Sequence, residues 1–473
     1  MSKKLLLILL LIFAMALVAC GGDEEPTEEP MAEEPAAAEE PAAEEPAAEE
    51  PAEEMAGVTE LNILWAQWDP ADYLQQIGNM YEEETGIKVN VIQEPWGSFG
   101  DLFFTEMAAQ GDSWDMVVGD SQWLGQGATQ GHYMDMTDFL VGEGIADTVT
   151  EATLTYYGEY PTGSGTYYAF PTEGDADGWA YRADLFEDPA EMEAFEAEYG
   201  YPLAPPDTYE QLMDIAKFFT RPDDGLYGAA IYTQADYDAI TMGVENTMFS
   251  WGADWKDENN NVLGVVNSPE AIESLQFYRD LYECCQAPGL SNAFFAEVND
   301  AFTSGQAVMA MNYFAFFPAL ANPETNPYAE GTDYFVNPAG PDGHQHAALG
   351  GQGTSIVNYI SDDRKAASMD FIRWFAQEDI QAEWGRIGGY TCNENVLKTD
   401  EFLAVAPFNP AFAETMTFVK DFWNVPVFGE LLEVAQREFG RFIVEGQGTA
   451  EEAMNNIATD HDQILRDAGL ITE

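Results

Sequence analysis

Residues 61–91 read LNILWAQWDPADYLQQIGNMYEEETGIKVNV, and this stretch decides the fold class. Leu61-Asn62-Ile63-Leu64-Trp65 is a short apolar run of strand length. Pro70 then opens a helix, because the N–H that proline lacks has no partner in a first turn anyway. Tyr73, Leu74, Ile77, Met80 and Tyr81 recur at helical spacing. Thr85-Gly86 ends the helix, glycine being suited to the left-handed cap. Ile87, Val89 and Val91 alternate as a second strand. A strand, a helix and a second strand in this order make a parallel pair covered by the helix.

The pattern continues outward. A short helix is expected near Leu102–Ala109 with Gly111 as its stop, and Met116-Val117-Val118 reads as a third strand. The expected architecture is α/β, a mostly parallel sheet flanked by helices. Such sheets bind ligands beyond the carboxyl ends of their strands. Those ends are Trp65–Trp68, Pro95–Ser98 and Gly119–Trp123, each read as a loop that combines Trp with small or polar residues.

Composition excludes some functions. The 473 residues carry 85 Asp+Glu against 17 Lys+Arg, a formal net charge of −68. Nucleic acid is excluded as a partner, since phosphate neutralisation needs clustered Lys and Arg. An anionic lipid surface is disfavoured for the same reason. Hydrophobic residues make up 46%, enough for a sizeable core, and the length allows more than one domain. Four Cys and four His leave little for a structural zinc site.

The N-terminus reads as an export signal. Lys3 and Lys4 precede an apolar run from Leu5 to Val18, too short to span a bilayer comfortably. Leu17-Val18-Ala19-Cys20 resembles a bacterial lipobox, which implies cleavage after residue 19 and lipidation of Cys20. Residues 20–56 form an acidic Glu/Pro/Ala tether that repeats Glu-Glu-Pro-Ala-Ala and holds 15 acids and no base. Like charges repel and proline blocks helix, so the tether is expected to extend up to ~100 Å, at about 3 Å per residue. The remaining 417 residues hold 85 − 15 = 70 acids and 17 − 2 = 15 bases, a charge of about −55, so the acidity is global.

Further motifs point to a family. Tyr81-Glu82-Glu83-Glu84-Thr85-Gly86-Ile87-Lys88-Val89 resembles the "F-E-x-x-T-G-I-K-V" element of extracellular solute-binding proteins of family 1, the substrate receptors of carbohydrate ABC importers. Trp114–Val118 resembles their "P-D-V-V" strand, Ala180–Phe186 their "x-Y-N-K-D-L-F", and Phe302–Met309 their "F-x-x-G-k-A-A-M". Asn267–Ala271 before a helix, and Gly350–Gly353 followed by Ala366-Ala367, Phe371-Ile372 and Trp374-Phe375, complete the order. The resemblance implies two α/β lobes joined by a hinge, with the ligand between them. It places lobe 1 at 57–171 and 350–398, and lobe 2 at 172–349 and 399–473. It also implies a monomer, anchored outside the cytoplasm, that delivers a neutral sugar, oligosaccharide or polyol to permease subunits, with no cofactor and no catalysis.

A sugar has apolar C–H faces and a rim of hydroxyls, so its site needs aromatic planes together with carboxylates or amides. Trp68, Trp96, Trp123, Trp251 and Trp255 stand beside polar residues, with Gln67 next to Trp68 and Asp254 next to Trp255. The resemblance adds Asp120, Ser121 and Gln122 after the third strand, Glu173 and Asp175 after Pro171, and Asn312 and Tyr313 after the "A-M" element. Gly351, Gln352 and Tyr390 complete the expected ligand set.

Competing motifs are weaker. Glu173-x-Asp175-x-Asp177-Gly178 with Asp184 imitates a calcium loop, but its first and last positions carry the wrong acids. His344-x-His346 reads as a solvated loop, so no metal is expected. Cys284, Cys285 and Cys392 allow one disulfide, and a long-range bridge from either neighbour to Cys392 is one option. No zincin, nucleophile-elbow or Walker motif is present. A binder of a cationic solute such as a polyamine, or a secreted glycoside hydrolase, are the alternatives.

Overall fold

The first sheet begins as the sequence implies. In the computed structural model, β1 (Glu60–Ala66) leads into the helix Asp69–Thr85 and then β2 (Lys88–Glu94). Pro70 lies in the first turn, and Gly86 closes the helix at φ 77°, donating its N–H to Glu82 O. That backbone is left-handed, which glycine adopts without a Cβ penalty. Leu74, Ile77 and Tyr81 form the buried face of the helix. β3 (Met116–Asp120) pairs parallel with β1, as β2 does on its other side. Residues 57–421 and 423–471 are described by the structure and fall in one compact unit. The export signal and the tether, with Cys20, lie outside the described residues.

The sheet is completed by strands from elsewhere. β4 (Phe170–Glu173) is its edge. The second sheet consists of β5 (Asp177–Arg182), β6 (Tyr227–Ala230), β7 (Ala307–Tyr313) and β8 (Thr332–Phe335), in the order β6-β7-β5-β8. β6 and β7 are parallel, while β5 pairs antiparallel with both β7 and β8. β9 (Ala347–Ala348) follows, and β10 (Gln352–Ile356) then returns to the first sheet between β3 and β4, antiparallel to both. The first sheet therefore runs β2-β1-β3-β10-β4. β11 (Val419–Lys420) adds a short parallel pair with β9. Each main sheet carries its own helices, and together they make a two-lobed α/β protein.

Local chemistry explains the helix starts. Thr208 Oγ1 accepts from Gln211 N (3.2 Å), and Gln211 Oε1 accepts from Thr208 N (3.3 Å), a reciprocal cap on the helix Tyr209–Phe219. Ser268 caps Pro269–Cys285 in the same sense, accepting from Ala271 N. The disulfide joins Cys284 to Cys285 at the end of that helix, and Cys392 is buried and free. A bridge to Cys392 is therefore ruled out: the two neighbouring sulfurs pair with each other and leave Cys392 in the core.

The helix Tyr209–Phe219 sits so close to β6 that a Cβ on Gly228 would lie 1.9 Å from the Ala216 carbonyl oxygen. Backbone cannot yield as a side-chain end does. Gly228→Ala should therefore destabilise the protein by about 2–3 kcal/mol, the cost of overpacking a tight interior, measured by urea unfolding. An unchanged midpoint would show that helix and strand can separate freely.

Candidate functional site

Three strand ends of the first sheet meet at one place. Trp68 is the N-cap residue of the helix after β1, Trp96 is the first residue of the helix Trp96–Ala108 after β2, and Asp120 is the last residue of β3. Ser121 and Gln122 form a single helical turn beyond it. The helix after β2 starts earlier than expected, so Pro95–Ser98 is not a loop. Trp96 is held in a first turn, where Ser98 N and Phe99 N donate to Pro95 O.

These residues form one wall of a cavity of about 310 Å³. The facing wall comes from the second sheet and its connections: Asp175, Asp236, Tyr237, Asp238, Met242, Phe294, Phe295, Tyr313 and Phe316. The crossing segment Leu349–Gly351 lies against both walls. Its glycines permit this close passage. A Cβ on Gly350 would lie 2.1 Å from the Tyr313 ring, and one on Gly351 would lie 2.2 Å from Glu173 O.

Aromatic planes dominate the interior. Trp68 and Trp96 meet edge to face at 5.3 Å, and Trp96 meets Tyr237 at 5.6 Å. Phe295 and Phe316 stack at 4.2 Å, with Phe316 6.4 Å from Trp68. Polar groups interrupt this surface at chosen points. Asp120 accepts from the Tyr237 hydroxyl and from the Gln352 amide, and Gln122 Nε2 lies 3.4 Å from its Oδ2. Tyr237 has a left-handed backbone (φ 53°), a strain of about 1–3 kcal/mol that its contacts must hold. Those contacts are the bond to Asp120 and a bond from the Gln436 amide to its carbonyl.

The expected ligand set divides. Trp68, Trp96, Asp120, Ser121, Gln122, Asp175, Tyr313 and Gly351 line the cavity. Gln352 stands behind it, buried, accepting from the Trp65 indole and donating to Asp120. Glu173 is fully buried and neither carboxylate oxygen has a hydrogen-bond partner. Asn312 is a core residue that accepts from the Tyr232 hydroxyl and donates to Phe295 O and Asn299 Oδ1. Tyr390 is buried and donates to Phe314 O at 2.7 Å. Trp251 packs against Tyr209 and Phe277, so its polar neighbours in sequence did not place it on the cavity. Trp123 packs against Phe99, Phe103 and Phe104. Asp254 and Trp255 line a second cavity of about 200 Å³, where Asp254 pairs with Lys420 at 2.7 Å and Trp255 stacks on Trp423. Gln67 is exposed on an open groove with Asp69, Asp72 and Gln93.

Sequence reasoning missed Asp236, Tyr237, Asp238, Phe294, Phe295 and Phe316. The strand-end rule that found Trp68 also applies to the Asp236–Asp238 segment, which follows β6. β6 reads Tyr-Gly-Ala-Ala and has no β-branched residue, so the rule had no visible strand to work from.

Burial sets the electrostatics. It pushes Asp120 up to about 6, against the bonds from Tyr237 and Gln352, which favour the charged form. Burial also pushes Glu173, Asp175 and Asp238 well above the usual carboxylate range. Asp177, at the start of β5 opposite Tyr313, rises to about 8 by burial, with only the Asn246 amide opposing. Among the described residues, no group of three or more His, Cys, Asp or Glu side chains could hold a metal ion.

The sequence profile of the family described as "Bacterial extracellular solute-binding protein" matches residues 76–410. The chain belongs to that family. Membership places it outside the cytoplasm, as a receptor for a solute. A probable ABC transporter-binding protein of Deinococcus radiodurans is 24% identical over 343 residues, 70% of this chain and 76% of the relative. Two solved solute-binding structures share the fold. One is an ABC transporter solute-binding protein of Agrobacterium radiobacter K84 in complex with ribitol, with TM-score 0.72, 21% identity, and 86% and 98% of the two chains covered. The other is maltose-bound MalE3 of T. maritima, with TM-score 0.73, 23% identity, and 86% and 100% covered.

The raised Asp177 gives a signed pH effect. The native state holds this proton more tightly than the unfolded chain, so the group's stabilisation is complete below about pH 4 and is lost as pH rises to about 8. Relative to Asp177→Asn, the wild type should lose stability steadily across that window, read from urea midpoints at several pH values. A difference that does not vary with pH would mean that Asp177 titrates normally.

Proposed function

We propose that the chain is the extracytoplasmic substrate-binding lipoprotein of an ABC importer, taking a sugar, a short oligosaccharide or a polyol between its lobes and handing it to a membrane permease. The observation that carries this reading is the aromatic cavity between the two sheets, interrupted by carboxylates at its rim. Aromatic faces suit the C–H surface of a sugar, and carboxylates accept from its hydroxyls. The volume, about 310 Å³, is near the small end of ~300–1,000 Å³ for small-molecule sites and favours a ligand of one or two units. The ribitol and maltose complexes of the structural relatives agree with this class. The lobes would correspond to residues 57–171 with 350–398, and 172–349 with 399–473. Ligand touching both walls would favour the closed arrangement.

Titration calorimetry with ribitol, D-mannitol and maltose should show reversible binding of at least one, with the ligand recovered unchanged. Trp96→Ala should weaken that binding about tenfold, the loss of ~1–2 kcal/mol of stacking, while its melting temperature stays close to wild type. Tight spermidine binding with every sugar and polyol silent would sink the assignment. Release of reducing ends from an oligosaccharide would point to a hydrolase.

Lipid anchoring rests on the lipobox at Cys20 and the acidic tether after it. Metabolic labelling with a fatty-acid analogue should mark the wild type and leave Cys20→Ala unmarked. Equal labelling of both would remove the anchor.

A further inference from the structure

The ionisable carboxyl groups of the cavity wall have no base among them. Asp120, Asp175, Asp236 and Asp238 line it, and no Lys, Arg or His is among the lining residues. Several of its hydrogen-bond donors are already engaged by these acids, while the Trp68 indole N–H is left without a partner. The Tyr237 hydroxyl and the amides of Gln122 and Gln352 serve Asp120, and the N–H groups of Ala176 and Ala315 serve Asp175. Asp236 accepts from Tyr237 N at 2.8 Å. Asp238 differs from these three. It is 8% exposed and precedes the helix Ala239–Ser250 without capping it. Its own backbone N–H serves its carboxylate, and no side-chain donor to it is seen among the described residues. Behind the wall, Glu173, Asp177 and Glu245 are fully buried, and each has a carboxylate oxygen with no partner.

A neutral hydroxyl can donate to such a wall, but it also brings lone pairs that need donors, and it cancels no charge. An ammonium group offers three donors and no acceptor, and it neutralises what it touches. It is also attracted to aromatic faces, which the Trp96 and Tyr237 rings supply at the same rim. The charge of Asp120 adds to the burial that lifts Asp238, so the two carboxylates act on one region of space.

We propose that the ligand is a sugar or polyol bearing a protonated amine, its ammonium held by Asp238 and Asp120 against the Trp96 and Tyr237 rings and its hydroxyls by the remaining wall. This rests on reading the cavity as a sugar or polyol site, and it narrows the neutral ligand expected from the sequence to its amino counterpart.

Calorimetry on the whole protein at about pH 7, where an alkyl amine is charged, tests it with matched pairs. The probes are D-glucosamine against D-glucose, 1-amino-1-deoxy-D-sorbitol against D-sorbitol, and spermidine as an amine without the hydroxyls. At least one amine should bind about tenfold or more tightly than its neutral partner. In Asp238→Asn that ratio should fall several-fold, and Asp238→Glu should restore part of it. Equal affinities within both pairs would overturn the inference and leave the sugar or polyol reading standing. Spermidine tighter than all four sugars and polyols would overturn both, whereas silence of all five probes would overturn the inference and leave the sugar or polyol reading to ribitol, D-mannitol and maltose. The wild-type ratios decide the question even if a variant fails to fold.

Discussion

The first sheet is unfinished until the chain comes back to it. β3 and β4 are not neighbours; β10 lies between them and supplies the pairing for both. The same return places Gln352 where one amide ties two strand ends together, accepting from Trp65 of β1 and donating to Asp120 of β3. Trp65 and Gln352 are 287 residues apart in sequence, so this junction forms only after the second lobe has been traversed. The cavity depends on it in turn. Leu349–Gly351, just before β10, is the floor on which both walls rest, and the two glycines are what let Tyr313 and Glu173 approach it.

Charge is distributed in a way that opposes ordinary folding economy. A buried carboxylate without a base is costly, and proteins usually avoid one by pairing it or protonating it. Here Glu173, Asp175, Asp177, Asp238 and Glu245 are buried around one cleft, and burial raises all five. Most bases of the folded part are engaged away from the main cavity, as Arg364 with Asp112 and Asp115, or Arg221 with Glu191. Tyr237 shows the same logic in backbone form. A left-handed non-glycine residue carries a hydroxyl from one lobe to a carboxylate of the other. Local cost is thus concentrated at one place, the cavity between the two sheets.

Much of this was legible before the structure. Alternating strands and helices from Leu61 to Val118 gave the first three strands, and the ordered family motifs gave two lobes. Trp68 and Trp96 could be placed at the cavity because a strand's carboxyl end is a local property that hydrophobic pattern reveals, and Asp120 because the family resemblance sets polar groups after the third strand. What escaped notice was set by tertiary context. Trp251 looks like Trp68 in sequence, with polar neighbours, yet the packing of Tyr209 and Phe277 claims it for the core. Asp238 was invisible because β6 is too small-residued to read as a strand, and Phe295 because the stack with Phe316 that sets it in the cavity wall is a tertiary contact. Trp255 and Asp254 are at a cavity, but a different one, and no local signal separates the two.

The disulfide between Cys284 and Cys285 has a consequence for mechanics. A bridge between neighbours encloses no intervening chain, so it takes almost no loop entropy from the unfolded state. With Cys392 free, peptide backbone is the sole covalent link between the two lobes among the described residues. Reduction of that bridge leaves the connection between them untouched. Packing and charge, not a covalent crosslink, therefore hold the two lobes against each other.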